Sequence, residues 1–310
     1  MVTIEHALED FLLSTRESLS ARTTEWYEGN LRDVVDKLRG TMIDEVPTLA
    51  IRQYLVALRE TPTHYVGGHQ VKGGVSHETL RGRHRAMKRF FNWCVLEYDL
   101  DPLHNPMRKI KTPGPTGQPP KAVSMDDVRK MIAAAGMGPI GIRDRAILFF
   151  LLDTGCRAGG LLSLTPENLV INELRAMLTE KGDRARFVPF TPDTAALLRQ
   201  WMEVRPANAT TVFCRFGTVE AKVGEPLTIY GLRQILRRLA LRGGVEGRFN
   251  PHAFRHGNAR EFLRNGGNMA ALQQLLGHSN PNVTMSFYAR FNIKELAEQQ
   301  AQFSPVKNLK

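Results

Sequence analysis

The chain has 310 residues, enough for two domains with separate cores, and its 42 Lys and Arg outnumber 31 Asp and Glu, for a formal charge of +11 and a pI near 9.8. That excess favours a polyanionic partner, nucleic acid before membrane. Cys94, Cys156 and Cys214 are widely spaced with no CxxC, which excludes a disulfide framework and a cysteine metal site and fits a reducing compartment. The best apolar run, Ala146 to Leu152, is too short to cross a bilayer, and the opening MVTIEHALEDF lacks a basic region leading into an apolar one. A soluble, cytoplasmic protein is expected. The charge is uneven: residues 1–122 hold 17 basic and 15 acidic side chains, and the remainder holds 25 against 16.

Residues 3–16, 22–39 and 47–59 carry apolar side chains at helical spacing, as in Ile4, Leu8, Phe11 and Leu12. The glycine-rich segment 66–75 reads as a loop or short hairpin. A long helix from about His77 to Tyr98 sets Leu80, Met87, Phe90, Phe91 and Val95 on an apolar side, and Arg81, Arg85, Lys88 and Arg89 on one basic stripe. Such a stripe is either a solvated face or a surface for phosphates. These helices make an all-α domain over 1–108.

Residues 109–122 are rich in proline and glycine and form an extended connector, in which Lys109 and Lys111 can follow a phosphate backbone. A second domain is expected over 123–292, with helices near 124–135 and 142–153 and a break at Thr154-Gly155. A short helix from Arg157 to Leu162 follows, then strands near 169–171, 176–179 and 186–188. Lys181-Gly182-Asp183 marks the turn between the last two strands. Helices at 191–204 and 228–242 lead to Asn250, which can cap a helix whose first turn accepts Pro251. There His252, Arg255 and His256 fall at i, i+3 and i+4. Gly266-Gly267 ends that helix and Asn268 can cap the next, to about Leu276. The fold class is mainly α with a small antiparallel sheet. The tail, 293–310, is amphipathic enough to dock on a neighbouring protomer or on its own.

HAFRH at 252–256, FLRNGG at 262–267, LQQLLGHS at 272–279 and Tyr288 resemble the carboxyl-terminal signature of the tyrosine recombinases, the phage-integrase and Xer-like enzymes. Upstream, Leu152 to Arg157 with Leu161 to Leu164 resembles that family's arginine box. Thr179 to Arg184 followed by Val188-Pro189-Phe190 resembles its lysine hairpin. The resemblance spans roughly 123–290 and implies a site-specific recombinase of two-domain, Xer-like layout. It acts on double-stranded DNA with a specific core site, as a homotetramer on two DNA sites, without cofactor or metal.

The implied chemistry suits the residues. A phosphodiester resists attack because of its charge and its poor leaving alkoxide, so a catalyst must neutralise the one and protonate the other. Arg157 and Arg255 are the expected clamps, since a guanidinium fork matches phosphate oxygens. Tyr288 is the expected nucleophile, giving a 3′-phosphotyrosyl intermediate. Lys181 is the expected general acid for the 5′-oxygen, because Arg184 holds its proton too tightly. His252 and His278 bond the non-bridging oxygen or share in proton transfer. His256 is read as structural support. His252 and His256 have the spacing of a zinc helix, but Ala253 stands where a glutamate is needed.

Two departures from the family pattern bear on activity. Gly160 occupies a position that is often acidic, so Asp153 or a water is the candidate to orient what that carboxylate would. Tyr288 follows His278 by ten residues, one more than in many members. The alternatives are a type IB topoisomerase-like enzyme, with the same nucleophile and clamps, and a catalytically silent DNA-binding protein, which Gly160 raises.

Overall fold

The computed structural model describes residues 2–66, 69–114, 121–180, 184–216 and 223–277, with 63–66, 69–72, 180 and 184 described by backbone alone. The chain divides into two compact units, Met1–Gln118 and Pro119–Lys310.

The first unit contains α1 (Ile4–Ser18), α2 (Ala21–Lys37), α3 (Thr48–Glu60) and α4 (His77–Glu97). Each buries the stripe that its apolar spacing requires, and the stripes meet on Phe11. That ring packs edge-on against Tyr27 at 5.3 Å, Trp93 at 5.4 Å and Phe90 at 5.5 Å between centroids. Ser76 caps α4 by accepting from the Thr79 amide. Between α3 and α4 lies an antiparallel hairpin, β1 (Thr63–Val66) with β2 (His69–Lys72), in register Thr63↔Lys72 to Val66↔His69. The unit is therefore not wholly α: Pro62 follows the end of α3, and the β-favouring run Thr63-His64-Tyr65-Val66 opens the hairpin three residues before the segment the glycines mark.

The second unit is built on α6 (Pro139–Thr154), with Ala146, Ile147, Leu148, Phe150 and Leu151 all fully buried. Its start lies earlier than apolar periodicity indicates, because Pro139 takes the first turn. Asp144 is wholly buried on this helix. One of its oxygens accepts from Arg143 at 2.8 Å and the other from Arg238, a paired arrangement that offsets the cost of burying the charge. Around α6 stand α5 (Met125–Ala133), α7 (Ala158–Leu162) and the sheet β3 (Leu169–Val170), β4 (Arg175–Glu180) and β5 (Arg184–Pro189). The helices α8 (Pro192–Val204), α9 (Ile229–Arg242), α10 (Pro251–Arg264) and α11 (Met269–Leu276) complete it. The sheet is antiparallel in the order β3-β4-β5, with Leu178 opposite Arg186. Among the described residues no helix is long and apolar enough to cross a membrane.

Candidate active site

The site gathers where α6 ends. Gly155 closes α6 in the left-handed region (φ +57°), and a Cβ there would lie 2.6 Å from Asn258 Oδ1 and 2.7 Å from Leu276 Cδ2. Only glycine meets both demands. Asn258 Nδ2 donates to the carbonyls of Leu152 (2.8 Å) and Asp153 (2.9 Å), tying α10 to the same turn. Two residues on, Arg157 stands at the N-cap of α7, half-buried. Burial, then the charge of Arg186, lowers its guanidinium pKa.

On α10, Asn250 accepts from the Ala253 amide at 3.0 Å and Pro251 takes the first turn. The three residues at helical spacing then separate by depth. Arg255 is buried, 4% exposed, His256 is half-buried, and His252 is exposed. Arg255 donates from Nη1 to the Gly155 carbonyl (2.8 Å) and from Nη2 to the Leu276 carbonyl (2.7 Å), which fixes the plane of its fork. Although His252 is exposed as a residue, partial burial of its ring first, then the charges of Arg255, Arg157 and Arg233, hold it below the ordinary imidazole value. Through the Gly155 carbonyl, Arg255 is tied to the turn that leads into Arg157, although 98 positions separate the two in the sequence. Burial, with His252 and Arg255, pushes His256 down to about 4. Both rings are neutral at neutral pH, each with one donor and one acceptor nitrogen.

Two further cations were not singled out from the sequence. Arg233, exposed on α9, is one of the charges that His252 feels. Arg186 on β5 donates to the Leu275 carbonyl, and it acts on Arg157 and on the buried thiol of Cys156, which Arg255 also faces. One signal did exist for Arg186: it shares the inward phase of β5 with buried Val188 and Phe190, an odd place for an arginine. Guanidiniums converging in a partly dry site favour an anion between them.

Lys181, His278, Tyr288 and the tail 293–310 lie outside the described residues. Asp153 does not substitute for the acidic residue absent at Gly160. Its carboxylate caps α8, accepting from the Thr191 amide (2.6 Å), Thr191 Oγ1 (2.8 Å) and Thr194 Oγ1 (2.6 Å). Gly160 itself is buried where α7 meets β4, and a Cβ there would stand 3.3 Å from Leu178 Cδ1. A side chain there would require Leu178 to give way by a few tenths of an ångström. His252 and His256 belong to no metal-binding cluster among the described residues.

In the first unit, Arg85, Lys88 and Arg89 are exposed on α4, with Arg85 lying 5.9 Å over the Trp26 ring. Arg81 is half-buried and pairs with Glu78 at 3.7 Å. Arg83, on the same helix but off the stripe, turns inward to Asp33 (3.2 Å) and Tyr54. Lys109 and Lys111 are exposed, and the Lys109 carbonyl accepts from Arg52 at 3.0 Å.

Known proteins share both the motifs and the architecture. The profile of the phage integrase family matches residues 121–295. Tyrosine recombinase XerD of Listeria innocua is 28% identical over 302 residues, covering 96% of this chain and 98% of the relative. Tyrosine recombinase XerC of Haemophilus influenzae is 30% identical over 236 residues, 76% of this chain and 77% of the relative. Among solved structures, the Tn1549 transposon integrase in complex with a circular intermediate DNA aligns with TM-score 0.74 at 17% identity, over 97% of this chain and 99% of that one. XerH bound to palindromic difH substrate, in a post-cleavage complex, aligns with TM-score 0.72 at 18% identity, over 95% and 83%. With more than half its length matched by the profile, the chain belongs to the phage integrase family, the tyrosine recombinases.

Proposed function

We propose that this recombinase breaks and rejoins DNA at a specific core site with Tyr288 as nucleophile. The phenol attacks the scissile phosphorus, a 3′-phosphotyrosyl bond forms, and the 5′-oxygen leaves as a hydroxyl. A partner strand's 5′-hydroxyl reverses the step, so the energy of the broken linkage is kept in the ester and no ATP is needed. Arg157 and Arg255 bind the non-bridging oxygens and stabilise the charge of the transition state. Lys181 protonates the leaving oxygen, and neutral His252 with His278 bonds the phosphate or passes a proton. His256 supports α10. The observation that supports this reading is the Arg255 guanidinium held, from far along the sequence, on the Gly155 carbonyl two residues before Arg157, with His252 one turn before Arg255 on α10.

Residues 1–108, within the first unit, are the core-binding domain. Arg81, Arg85, Lys88 and Arg89, with Lys109 and Lys111 of the connector 109–122, meet the phosphate backbone, and 123–292 is the catalytic domain. Four protomers assemble on two sites in the cytoplasm, with the tail 293–310 docking on a neighbour. The XerH and Tn1549 integrase structures that resemble this fold are DNA complexes, which supports DNA as the partner. The topoisomerase-like and silent readings have no comparable support among the relatives.

Incubation with a nicked suicide duplex tests the proposal. The wild type gives a site-specific covalent adduct, and Tyr288→Phe abolishes it while DNA binding persists. Adduct formation by Tyr288→Phe would remove the assignment. Cleavage without site preference would favour the topoisomerase-like reading, and binding without any adduct the silent one.

A further inference from the structure

The end of α11 is held in an unusual way. A helix leaves its last four carbonyls without intrahelical partners, and here two guanidiniums take consecutive ones, Arg186 the carbonyl of Leu275 and Arg255 that of Leu276. Gly277 then closes α11 in the left-handed region (φ +63°). A Cβ on Gly277 would lie 2.9 Å from Arg186 Nε and 3.0 Å from its Cδ, so the glycine is required by the conformation and by the arginine lying against it. Arg186 stands on β5, which follows Lys181 in sequence, and it reaches across to the end of α11, which precedes His278 in sequence.

We propose that Arg186 is a positioning residue for strand cleavage: by holding the Leu275 carbonyl beside Arg255 on Leu276, it fixes the carboxyl end of α11, from which the chain passes to His278 and Tyr288. Arg255 touches the phosphate, whereas Arg186 acts through the backbone it braces. This inference rests on the roles proposed above for His278 and Tyr288.

Single-turnover adduct formation on the suicide duplex, at saturating DNA, tests it with Arg186→Gln, Arg186→Lys and Gly277→Ala. Misplacing a catalytic group by about 1 Å costs on the order of 100-fold. Arg186→Gln and Gly277→Ala should lose rate on that scale, measured well below melting, while DNA affinity stays near the wild type and the melting temperature falls only modestly. Arg186→Lys should recover part of the rate, because an ammonium can still meet a single carbonyl. A 5′-sulfur leaving group should not restore Arg186→Gln. Full restoration would mean that Arg186 works only through Lys181, and would overturn the proposal. An unchanged rate, or a loss that merely tracks affinity or melting, would do the same. Backbone hydrogen exchange across 269–280 reads the brace without reference to chemistry: Arg186→Gln should speed exchange there, and unchanged exchange rejects the brace. A wild type that forms no adduct, with exchange altered in the variant, would instead count against the Tyr288 assignment.

Discussion

The cations of the two units are held in different ways. In the catalytic unit, Arg255 is buried and pinned by the carbonyls of Gly155 and Leu276, and Arg186 is pinned by that of Leu275. On α4 of the first unit, Arg85, Lys88 and Arg89 stand in solvent, and Arg85 is steadied by the face of Trp26. Cations fixed before the substrate arrives need no reorganisation when charge develops, which is what lowers a barrier. Exposed, rotatable cations exchange counterions for phosphates and contribute affinity that salt erodes. The first set suits rate and the second suits grip.

The largest effect should come from the pinned set. Arg255→Ala should reduce adduct formation by on the order of 10²–10³ while leaving DNA affinity within a few-fold. It also strands two buried carbonyls, each costing about 1–3 kcal/mol, so a lowered melting temperature should accompany it. A parallel collapse of affinity would erase the distinction between the two sets.

A smaller change follows from the exposed set. Replacing Arg85, Lys88 and Arg89 together with Ala should flatten the slope of log affinity against log salt by about 0.9 for each phosphate that is no longer neutralised. Cleavage at saturating DNA should be preserved. If cleavage falls and the salt slope does not, the stripe belongs to catalysis rather than binding.

The smallest effect is on stability against pH. His256 is held down to about 4 from an ordinary 6.5, chiefly by burial, so between those values the unfolded chain binds the extra proton. Stability is complete above about pH 6.5 and is lost as pH falls toward about 4. Thermal melting of the wild type should decline across that window, and His256→Asn should show a shallower decline. Identical slopes would mean that His256 does not titrate in the fold as its setting requires.

Much of this was legible in local pattern. The Asn250 cap, Pro251 in the first turn and the break at Gly155 each follow from a few neighbouring residues. The arginine box and HAFRH name Arg157, Arg255 and His252 through family motifs. What escaped depends on partners distant in sequence. Arg186 takes its meaning from Leu275, 89 positions away, and Asp153 from Thr191 and Thr194, 38 and 41 positions away. Beside Arg157 in the sequence, Asp153 looks like its support; across the fold it is the cap of α8. Depth along α10 was equally hidden, because helical spacing puts His252, Arg255 and His256 on one side without saying how far each sinks.

The helix α6 packs most of its residues into the core, with a partly exposed face through Ile142, Arg145, Phe149 and Leu152, and carries the buried Asp144, paired with Arg143 and Arg238. Sliding or rotating it would pull the buried Asp144 carboxylate from Arg238 of α9 and Arg143 from the carbonyls of Cys214 and Phe216, and would open voids in the core. The turn at its end, from which Arg157 springs, therefore works as an anvil. Any travel needed to take up a strand and release it must belong to what is brought against that turn, and wear in this enzyme, under heat or mutation, should show last at α6.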